Sequence, residues 1–566
     1  MRHRRRAQSL IVLGLGLTAA LFIGFAPTTS ADAPNLGYSK DVNWHLDGAP
    51  EVSAMESTIH TVLSDVHVQF SGVDGQQIEG FFPGQTYSYG PTPGTTPFYL
   101  YIRDTATDLP MVRYYYGGQA LRSTIEEFLR EQYPDGSISA TISPEHQVDK
   151  ATVVSDEETS AIMDAVEAYD AMPDPTWLNQ SLRGQSLIDR LNRAMNWVLT
   201  ARRDPDTQLI KRAHTTDWGD IKWEPSSDPS HMAAGDQWTV SIYDQAIAYA
   251  ALQGLARLNA AAGRDSDRAH WEAEAATIKA ATNQVLWQDD SDHGFYRIHQ
   301  HLAPDNIKHD QPEGNVIAIG NAAAVYYGLA DPDKVPRILA ALERARVAAG
   351  APKPGLSLYP PYDNWTEVEM GPGSYQNGAL WDWWAGRQIS GEFWSGSSQL
   401  ARQHLDMVAQ DWASHPGSVR EWESPSLKRT GAEKAYAGAA AVMGQSVVDG
   451  LYGIRIVGQT VTVTPRLGGM NGGVRIYEPA TDLYLAYEYQ ARDRGETVQY
   501  GSNSQTALSL HLPVRWRGDT RARLDGKDYL PITYQRVGQD LQGTVVVPSG
   551  QHTVDIFEVP AGRRKL

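Results

Sequence analysis

The spacing of apolar residues changes once along this chain, and that change limits the folds available to it. From about residue 105 to residue 449, apolar side chains recur every three or four positions, which is the period of a helix. After Gly450 the period becomes two, in segments such as "IRIVGQTVTVTP" and "DLYLAYEYQ". The sequence therefore predicts a helical domain followed by an antiparallel β domain.

Eleven helical segments are predicted, and they occur in pairs. They are 105–116, 119–133, 156–172, 185–203, 238–261, 266–286, 314–329, 332–348, 375–388, 393–413 and 431–449. The connections between pairs are long and rich in Trp, Tyr, Asp and Pro, as expected for loops that line a cavity. We predict a mainly α fold, an (α/α)6 barrel of helical hairpins with one helix unrecognised. A superhelical repeat array is the alternative, but the sequence has no fixed repeat length.

The N-terminus has the three parts of a secretory signal peptide. The charged run "MRHRRR" precedes an apolar run from Leu10 to Phe25, and "APTTSADAP" follows. We predict a signal peptide over residues 1–33 and a secreted, extracellular protein. An uncleaved anchor is the alternative, although the apolar run is short for a membrane span.

The remaining domain boundaries follow from changes in local composition. Residues 51–96 alternate in short segments rich in Gly, Pro and Thr, so residues 34–100 are predicted as an N-terminal β or extended segment. The barrel domain is predicted over 101–452. A C-terminal β-sandwich domain is predicted over 453–566.

The amino-acid composition limits the kinds of molecule that this protein can bind. The net charge of −18 argues against nucleic acid, because phosphate binding needs a basic face. The chain has 16 Trp and 27 Tyr but only 10 Phe, and Trp and Tyr combine an apolar face with a hydrogen-bonding edge that suits a sugar ring. It has no cysteine, which excludes disulfides, thiolate metal sites and a cysteine nucleophile. An oligosaccharide or polysaccharide partner is expected, with no nucleic acid and no membrane after signal cleavage.

Two stretches in the first half of the chain offer groups for sugar chemistry. In "YIRDTATDLPMVRYYYGG", Arg103 and Asp104 offer donors and an acceptor to sugar hydroxyls, or a helix cap and a surface ion pair. In "HTTDWGDIKWE", Asp217 and Asp220 flank Trp218. A glycosidic acid must stay protonated near neutral pH, and a neighbouring carboxylate or burial can achieve that.

Two later stretches complete the set. In "EMGPGSYQNGALWDWWAG", the candidates for binding sugar hydroxyls at a helix start are Tyr375, Gln376, Asn377 and Trp381. Trp384 is predicted to lie in the core. In "SVREWESPS", two glutamates flank Trp422. Glu421 is the candidate base, whereas Glu423 is predicted to form an exposed ion pair with Arg420.

Metal chemistry is not predicted. The acidic stretch "WQDDSDHGF" lacks the calcium-loop pattern, and His299, His301 and His309 lack the usual zinc spacing. The sequence therefore predicts no catalytic metal and no cofactor.

Taken in order, the four stretches resemble the six-hairpin glycosidase superfamily, which includes glucoamylases, trehalases, α-rhamnosidases and cellobiose-type phosphorylases. The likeness covers roughly residues 95–465. "DWGD" resembles the "DWND" of disaccharide phosphorylases, whose second Asp is the general acid, and this carries over to Asp220. Trehalase-type enzymes carry "ESGWD" instead, so Asp217 stays an alternative. "REWESPS" resembles a "PEQYD" loop whose Glu is the general base, and this carries over to Glu421.

The resemblance implies an inverting hydrolase of the exo type that binds the terminal sugar of an oligosaccharide. The two carboxyl groups of such an enzyme lie about 6.5–9.5 Å apart. The residues expected around that sugar are Arg103, Asp104, Trp218, Tyr375, Gln376, Asn377, Trp381 and Trp422. A polysaccharide lyase on a helical toroid and a non-catalytic carbohydrate-binding protein are the alternatives.

Overall fold

The structure is a computed structural model that describes residues 36–84, 99–146, 148–224, 228–290, 294–305, 307, 312–365, 370–426, 431 and 435–559. The predicted signal peptide lies outside these residues. Within them, no helix combines the length and the apolar character that a membrane crossing requires.

Thirteen α-helices are present in the described ranges. They are α1 Pro50–Val66, α2 Ile102–Val112, α3 Gly118–Arg130, α4 Glu157–Ala171, α5 Pro175–Leu178, α6 Leu187–Trp197, α7 Ile242–Ala261, α8 Asp265–Val285, α9 Gly320–Tyr326, α10 Val335–Ala348, α11 Asp382–Trp394, α12 Ser398–Ser414 and α13 Ala437–Gln445. Single π-turns extend α6 and α13, over Val198–Arg202 and Ser446–Leu451, and a 3₁₀ turn covers Glu313–Asn315.

Six of the helices contact one another in sequence order: α2, α4, α7, α9, α11 and α13, with α13 in contact with α2 in turn. Their composition fits an inner position. Every residue of α13, "AGAAAVMGQ", is buried, which small and apolar side chains on all faces allow. By contrast, α8 is polar on most faces, and only four of its residues are buried. Most of the α8 surface therefore faces solvent.

The N-terminal segment differs from its prediction. Pro50–Val66 is the helix α1, not a strand or an extended arm, and it packs against α12 and α13. Its buried residues recur at helical spacing: Val52, Met55, Ile59, Val62, Leu63 and Val66. The strands described within the predicted segment are Asn43–Leu46 before this helix and His67–Ser71 and Gln77–Phe81 after it. The Gly- and Pro-rich surroundings concealed the period of the helix.

Two other predicted helices start later than expected. The helix predicted over 375–388 begins at Asp382, and the one predicted over 314–329 covers Gly320–Tyr326. Residues before Asp382 instead form a loop in which Gly373, Tyr375 and Gly378 have positive φ values of 75°, 43° and 92°. That left-handed backbone is incompatible with an α-helix.

The strands before residue 453 have five residues or fewer, whereas those after it have up to ten. They are β1 Asn43–Leu46, β2 His67–Ser71, β3 Gln77–Phe81, β4 Leu100–Tyr101, β5 Thr141–Ile142, β6 Ser181–Leu182, β7 Gln185–Ser186, β8 Lys211–Ala213, β9 Trp238–Ser241, β10 Trp287–Gln288, β11 Phe295–Tyr296, β12 His299–His301, β13 Ile317–Ala318, β14 Leu358–Tyr359, β15 Ile454–Val457, β16 Thr460–Val463, β17 Gly472–Glu478, β18 Leu483–Arg492, β19 Gly495–Ser502, β20 Leu508–Pro513, β21 Thr520–Leu524, β22 Asp528–Leu530, β23 Thr533–Val537, β24 Asp540–Val547 and β25 Gly550–Glu558.

Two sheets make up the C-terminal β-rich region. One has the order β1-β17-β18-β19-β25-β21-β22 and the other β15-β16-β20-β24-β23. They touch, because a Cβ added to Gly543 of the second sheet would lie 2.9 Å from Cδ1 of Ile556 in the first. The N-terminal strand β1 pairs with β17, with Asn43 opposite Arg475. The first strand of the described chain is thus an edge of the C-terminal sheet.

Candidate active site

A cavity of about 560 Å³ opens where α2, α4, α11 and α13 begin. Eight of the eleven predicted site residues line it: Arg103, Asp104, Trp218, Asp220, Tyr375, Gln376, Trp381 and Glu421. The other three, Asp217, Asn377 and Trp422, do not. The lining comes from loops far apart in the sequence, so the cavity exists only in the folded chain.

Asp220 is held by the loop that precedes α11. Its amide nitrogen donates to Oε1 of Gln376 at 3.1 Å, and the Tyr375 hydroxyl lies 3.3 Å and 3.4 Å from its two carboxylate oxygens. Gly219 lets this loop approach, because a Cβ there would lie 2.7 Å from Oγ1 of Thr216 and 3.0 Å from Oε1 of Gln376. A larger residue in place of the glycine of "DWGD" would therefore clash with Thr216 and Gln376. The Asp220 carboxylate faces the cavity, with the Tyr375 hydroxyl beside it.

Asp217 lies behind the cavity wall. Its side chain is fully buried, and its two carboxylate oxygens accept the amide hydrogens of Tyr243 at 3.2 Å and Gly320 at 2.8 Å. These amides belong to the first turns of α7 and α9. Burial raises the pKa of Asp217 to about 7, although the two amide hydrogen bonds lower it. The geometry makes Asp217 a cap that joins two helix starts, and its side chain does not line the cavity.

Arg103 and Asp104 lie in the first turn of α2, and Arg103 has a partner, Asp156, that was not predicted from the sequence. The Asp156 carboxylate accepts hydrogen bonds from Nε and Nη2 of Arg103, at 2.8 Å and 3.0 Å, and from the Tyr243 hydroxyl at 2.8 Å. Although burial alone would raise the pKa of Asp156, Arg103 holds it below its usual value. The guanidinium is thereby fixed in the cavity wall, 5.9 Å from the Trp218 ring.

Asp104 accepts the hydroxyl hydrogen of Tyr436 at 3.0 Å. Burial raises the pKa of Asp104 to about 6, partly offset by the Tyr436 hydrogen bond and by Arg103, and the charge of Asp220 adds to the rise. This electrostatic coupling places Asp104 near Asp220 in the cavity. Near neutral pH the Asp104 carboxylate is ionised and can accept a hydrogen bond from a sugar hydroxyl.

The apolar wall is a cluster of tryptophans centred on Trp218. Its ring meets those of Trp381, Trp383 and Trp384 edge-on, at centroid distances of 4.7, 5.6 and 5.6 Å. Trp381 Nε1 donates to the carbonyl oxygen of Tyr375 at 2.9 Å, which orients the ring beside the Asp220 loop. Trp383 lines the cavity although the sequence did not single it out, whereas Trp384 is fully buried, as its spacing predicted.

Glu421 reaches the cavity from the loop between α12 and α13. Two residues later, Glu423 pairs through its backbone with Leu380, at 2.7 Å and 2.9 Å. Its carboxylate lies 3.3 Å from Nζ of Lys353, which also contacts Asp382 and Asp411. The predicted exposed ion pair for Glu423 is therefore wrong, because the side chain is buried against Lys353. This network fixes the loop that carries Glu421.

The remaining predicted residues support the loops. Asn377 accepts the amide hydrogen of Tyr362 at 2.9 Å and donates to the carbonyl oxygens of Tyr362 and Met370, at 2.8 Å and 2.6 Å. Trp422 lies with its ring 6.4 Å from that of Tyr375. Several lining residues escaped the sequence analysis, namely Tyr99, Tyr101, Asp149, Glu157 and Tyr436. Aromatic residues directly before a helix, such as Tyr101 and Tyr436, were the available signal.

The family model of the bacterial alpha-L-rhamnosidase six-hairpin glycosidase domain matches residues 99–331. No curated protein gives a match. Among solved structures, an alpha-L-rhamnosidase from Dictyoglumus thermophilum is 12% identical with a TM-score of 0.56, over 92% of this chain and 51% of that one. A Streptomyces avermitilis alpha-L-rhamnosidase complexed with L-rhamnose is 12% identical with a TM-score of 0.58, over 91% and 42%.

A GH63 mannosylglycerate hydrolase from Thermus thermophilus is 16% identical with a TM-score of 0.50, over 69% of this chain and 99% of that one. The chain spans about half the length, or less, of the two rhamnosidases. At these identities the structural likeness concerns the fold. Together with the family model, it confirms the predicted resemblance of this chain to the six-hairpin glycosidases.

Proposed function

We propose that the protein is a secreted glycoside hydrolase that removes a terminal sugar by an inverting acid/base mechanism. The observation that carries the proposal is that Asp220 and Glu421 line one cavity with tryptophan walls. Both residues come from the stretches whose counterparts supply the acid and the base in the resembling enzymes. The ring of contacts from α2 through α13 and back supports a closed (α/α)6 barrel around this cavity, and the two touching sheets support a β-sandwich.

In this mechanism Asp220 is the acid. It gives its proton to the glycosidic oxygen as the bond from that oxygen to the anomeric carbon breaks. Glu421 takes a proton from water while the water oxygen bonds to the anomeric carbon from the opposite face. The leaving alcohol thus gains one proton and the base gains the other. The Tyr375 hydroxyl beside Asp220 is placed to donate to the carboxylate that forms.

The other lining residues hold the sugar. Arg103, fixed by Asp156, donates to hydroxyls, and Asp104 accepts from them. Trp218, Trp381 and Trp383 offer apolar ring surface. A cavity of about 560 Å³ lies within the roughly 300–1,000 Å³ typical of small-molecule sites, which supports exo action on a chain end.

An α-L-rhamnoside is the first substrate to try. The matching family model and two of the similar structures are alpha-L-rhamnosidases. Mannosylglycerate comes second, because the similar GH63 hydrolase acts on it. For secretion, the charged and apolar runs before Ala31 support a cleaved signal peptide. N-terminal sequencing of protein recovered from the medium should begin within or just after "SADAP".

The test is sugar release from an aryl α-L-rhamnoside and a broad glycoside panel by wild type, Asp220→Asn and Glu421→Gln. Each variant should lose roughly 10²–10⁴-fold in kcat, the usual contribution of a general acid or base. Asp289→Asn, at an exposed surface pair with Arg337, is the matched control and should keep full activity. NMR of the first product formed should show the anomeric configuration opposite to that of the substrate.

Other outcomes decide against the proposal. Wild-type turnover in both variants would remove the acid/base assignment. An unsaturated sugar end in the product would identify a lyase. Glycan binding without turnover on long incubation would identify a carbohydrate-binding protein.

A further inference from the structure

Three histidines and one glutamate meet at the start of the loop that carries Asp220. His214 follows β8 directly, and His299 and His301 lie on β12. Because β8 and β12 both pair with β9, the sheet brings these segments to one place. Positions two apart on a strand share a face, so His299 and His301 point the same way. Glu313 opens the 3₁₀ turn that precedes β13 and faces all three rings.

The four side chains converge on one point. Nε2 of His299 lies 2.9 Å from Oε1 of Glu313, Nε2 of His214 lies 3.3 Å from the same oxygen, and Nε2 of His301 lies 3.1 Å from Oε2. Their ligand atoms all lie within 4.8 Å of one another. Zinc binds imidazole nitrogen at about 2.0–2.1 Å, so neighbouring ligands of a tetrahedral site lie about 3.3–3.4 Å apart. The observed separations are close to that spacing.

One of the three histidines, His301, also has the further contact that is typical of a metal-ligating histidine. Nδ1 of His301 lies 2.8 Å from Oδ1 of Asp305, and the Tyr362 hydroxyl lies 3.3 Å from Oε1 of Glu313. Metal-ligating histidines usually donate their second ring nitrogen to a carboxylate in this way, which fixes the tautomer. With Nδ1–H given to Asp305, Nε2 of His301 faces the Glu313 oxygen with a lone pair. A cation, either a proton or a metal ion, must therefore lie between them.

The burial of these four side chains favours one cation that they share over separate hydration of each side chain by water. His214 and His299 have no exposed side-chain surface, and His301 and Glu313 expose only 9% and 17% of theirs. Trp365 stacks on the His214 ring at 5.6 Å and 23°, and Trp223 meets it edge-on at 6.1 Å. One divalent ion would be shared by all three rings and the carboxylate, whereas a proton can be held by only one ring at a time.

We propose that His214, His299, His301 and Glu313 form a divalent metal site of the zinc class, with three nitrogen ligands and one oxygen ligand. None of the four residues lines the sugar cavity, so the site is structural. It ties the stretch that contains Asp220 to β12 and to the Glu313 turn. The sequence pointed to His299, His301 and His309 without zinc spacing. His309 lies outside the described residues, and the ligands that complete the set, His214 and Glu313, come from other segments.

The test uses the full-length protein and does not depend on its catalytic activity. Protein stripped with a chelator is titrated with Zn²⁺ by calorimetry and with Co²⁺ by visible absorption. We expect one ion per chain, the strong d–d bands of four-coordinate Co²⁺, and a rise in Tm with Zn²⁺ because the ion binds the folded state. Asp305→Asn should weaken Zn²⁺ binding roughly 10–100-fold, as loss of a partner to a ligating histidine does.

His301→Gln and Glu313→Gln should abolish the Co²⁺ bands, whereas His415→Gln, on an exposed helix end, should leave them unchanged. The proposal is overturned if the folded, stripped wild-type protein takes up no stoichiometric Zn²⁺ or Co²⁺. It is equally overturned if Co²⁺ binding is the same in folded His301→Gln. Should a ligand variant not fold, the wild-type titrations decide alone. Loss of sugar release with metal binding intact would count against the proposed hydrolase and not against this site.

Discussion

The hydroxyl of Tyr375 lies 3.3 Å from Oδ2 of Asp220, and the residue after it, Gln376, accepts the amide hydrogen of Asp220. Two adjacent side chains of one loop thus hold both the backbone and the carboxyl group of the proposed acid. The left-handed backbone of Tyr375, with φ of 43°, sets this arrangement.

Tyr375→Phe should lower activity and leave the fold intact. The ring keeps its packing on Trp381, but the hydroxyl beside the acid is lost. A hydrogen bond to a charged group contributes about 1.5–3 kcal/mol, so kcat/KM should fall roughly 10- to 150-fold. Tyr359→Phe, whose hydroxyl lies 3.4 Å from the Ala348 carbonyl, is the control and should behave as wild type. Equal kcat/KM in the two variants would remove Tyr375 from the acid's surroundings.

Asp104 should give the wild-type enzyme an acidic limb in its pH profile. Burial raises the pKa of this carboxyl from its ordinary 3.8 to about 6, so the carboxylate is protonated as the pH falls through 6. The protonated carboxyl group is a weaker acceptor of a hydrogen bond from a sugar hydroxyl, so kcat/KM falls. In Asp104→Asn the activity should be low, and this limb should be missing between pH 5 and 7. An unchanged limb in the variant would assign it to another group.

Asp217→Asn should reduce stability more than chemistry. The Asp217 carboxylate accepts the amide hydrogens of Tyr243 and Gly320, and a carboxamide can accept only one of them. Leaving one buried amide without an acceptor costs about 1–3 kcal/mol of unfolding free energy, measurable in urea. The folded variant should retain much more turnover than Asp220→Asn. The opposite order of turnover would make Asp217 the acid.

Lys353→Met should strongly destabilise the protein. The Lys353 ammonium group is buried and lies 2.8, 2.6 and 3.3 Å from carboxylate oxygens of Asp382, Asp411 and Glu423. Removing one partner of a buried charge network costs about 3–5 kcal/mol, because the remaining charges stay desolvated. Arg268→Met, at an exposed pair with Glu272, should change the unfolding free energy by less than about 0.5 kcal/mol. Similar urea midpoints for the two variants would contradict a structural role for Lys353.

The sequence could predict the parts of the site that lie within one stretch. Arg103 with Asp104, and Trp218 with Asp220, line the cavity as their motifs indicate. The helical spacing likewise predicted most helices to within a few residues. Both signals are local, since they depend on periods and on residues close in the chain.

What the sequence could not show depends on backbone conformations and on distant segments. Asp217 has a φ of 59° and Tyr375 one of 43°, which non-glycine residues seldom adopt, so the directions of their side chains could not be read from spacing. Asp156 is the first residue of the helix predicted over 156–172 and was not among the candidate site residues, yet it anchors Arg103. His214 meets His299 only because β9 lies between their strands.

The pairing of β1 with β17 has a consequence for the order of events during synthesis. Asn43 leaves the ribosome early, but its partner Arg475 emerges only after every helix has been made. Until then the first strand has no neighbour, and α1, which is adjacent to it, has to wait until α12 and α13 have been made. Such long-range pairing slows folding and prolongs the time for which incomplete surfaces are exposed. A chain truncated at Gly453 would keep that unpaired strand permanently, so the helical part should not be recoverable as a separate soluble fragment.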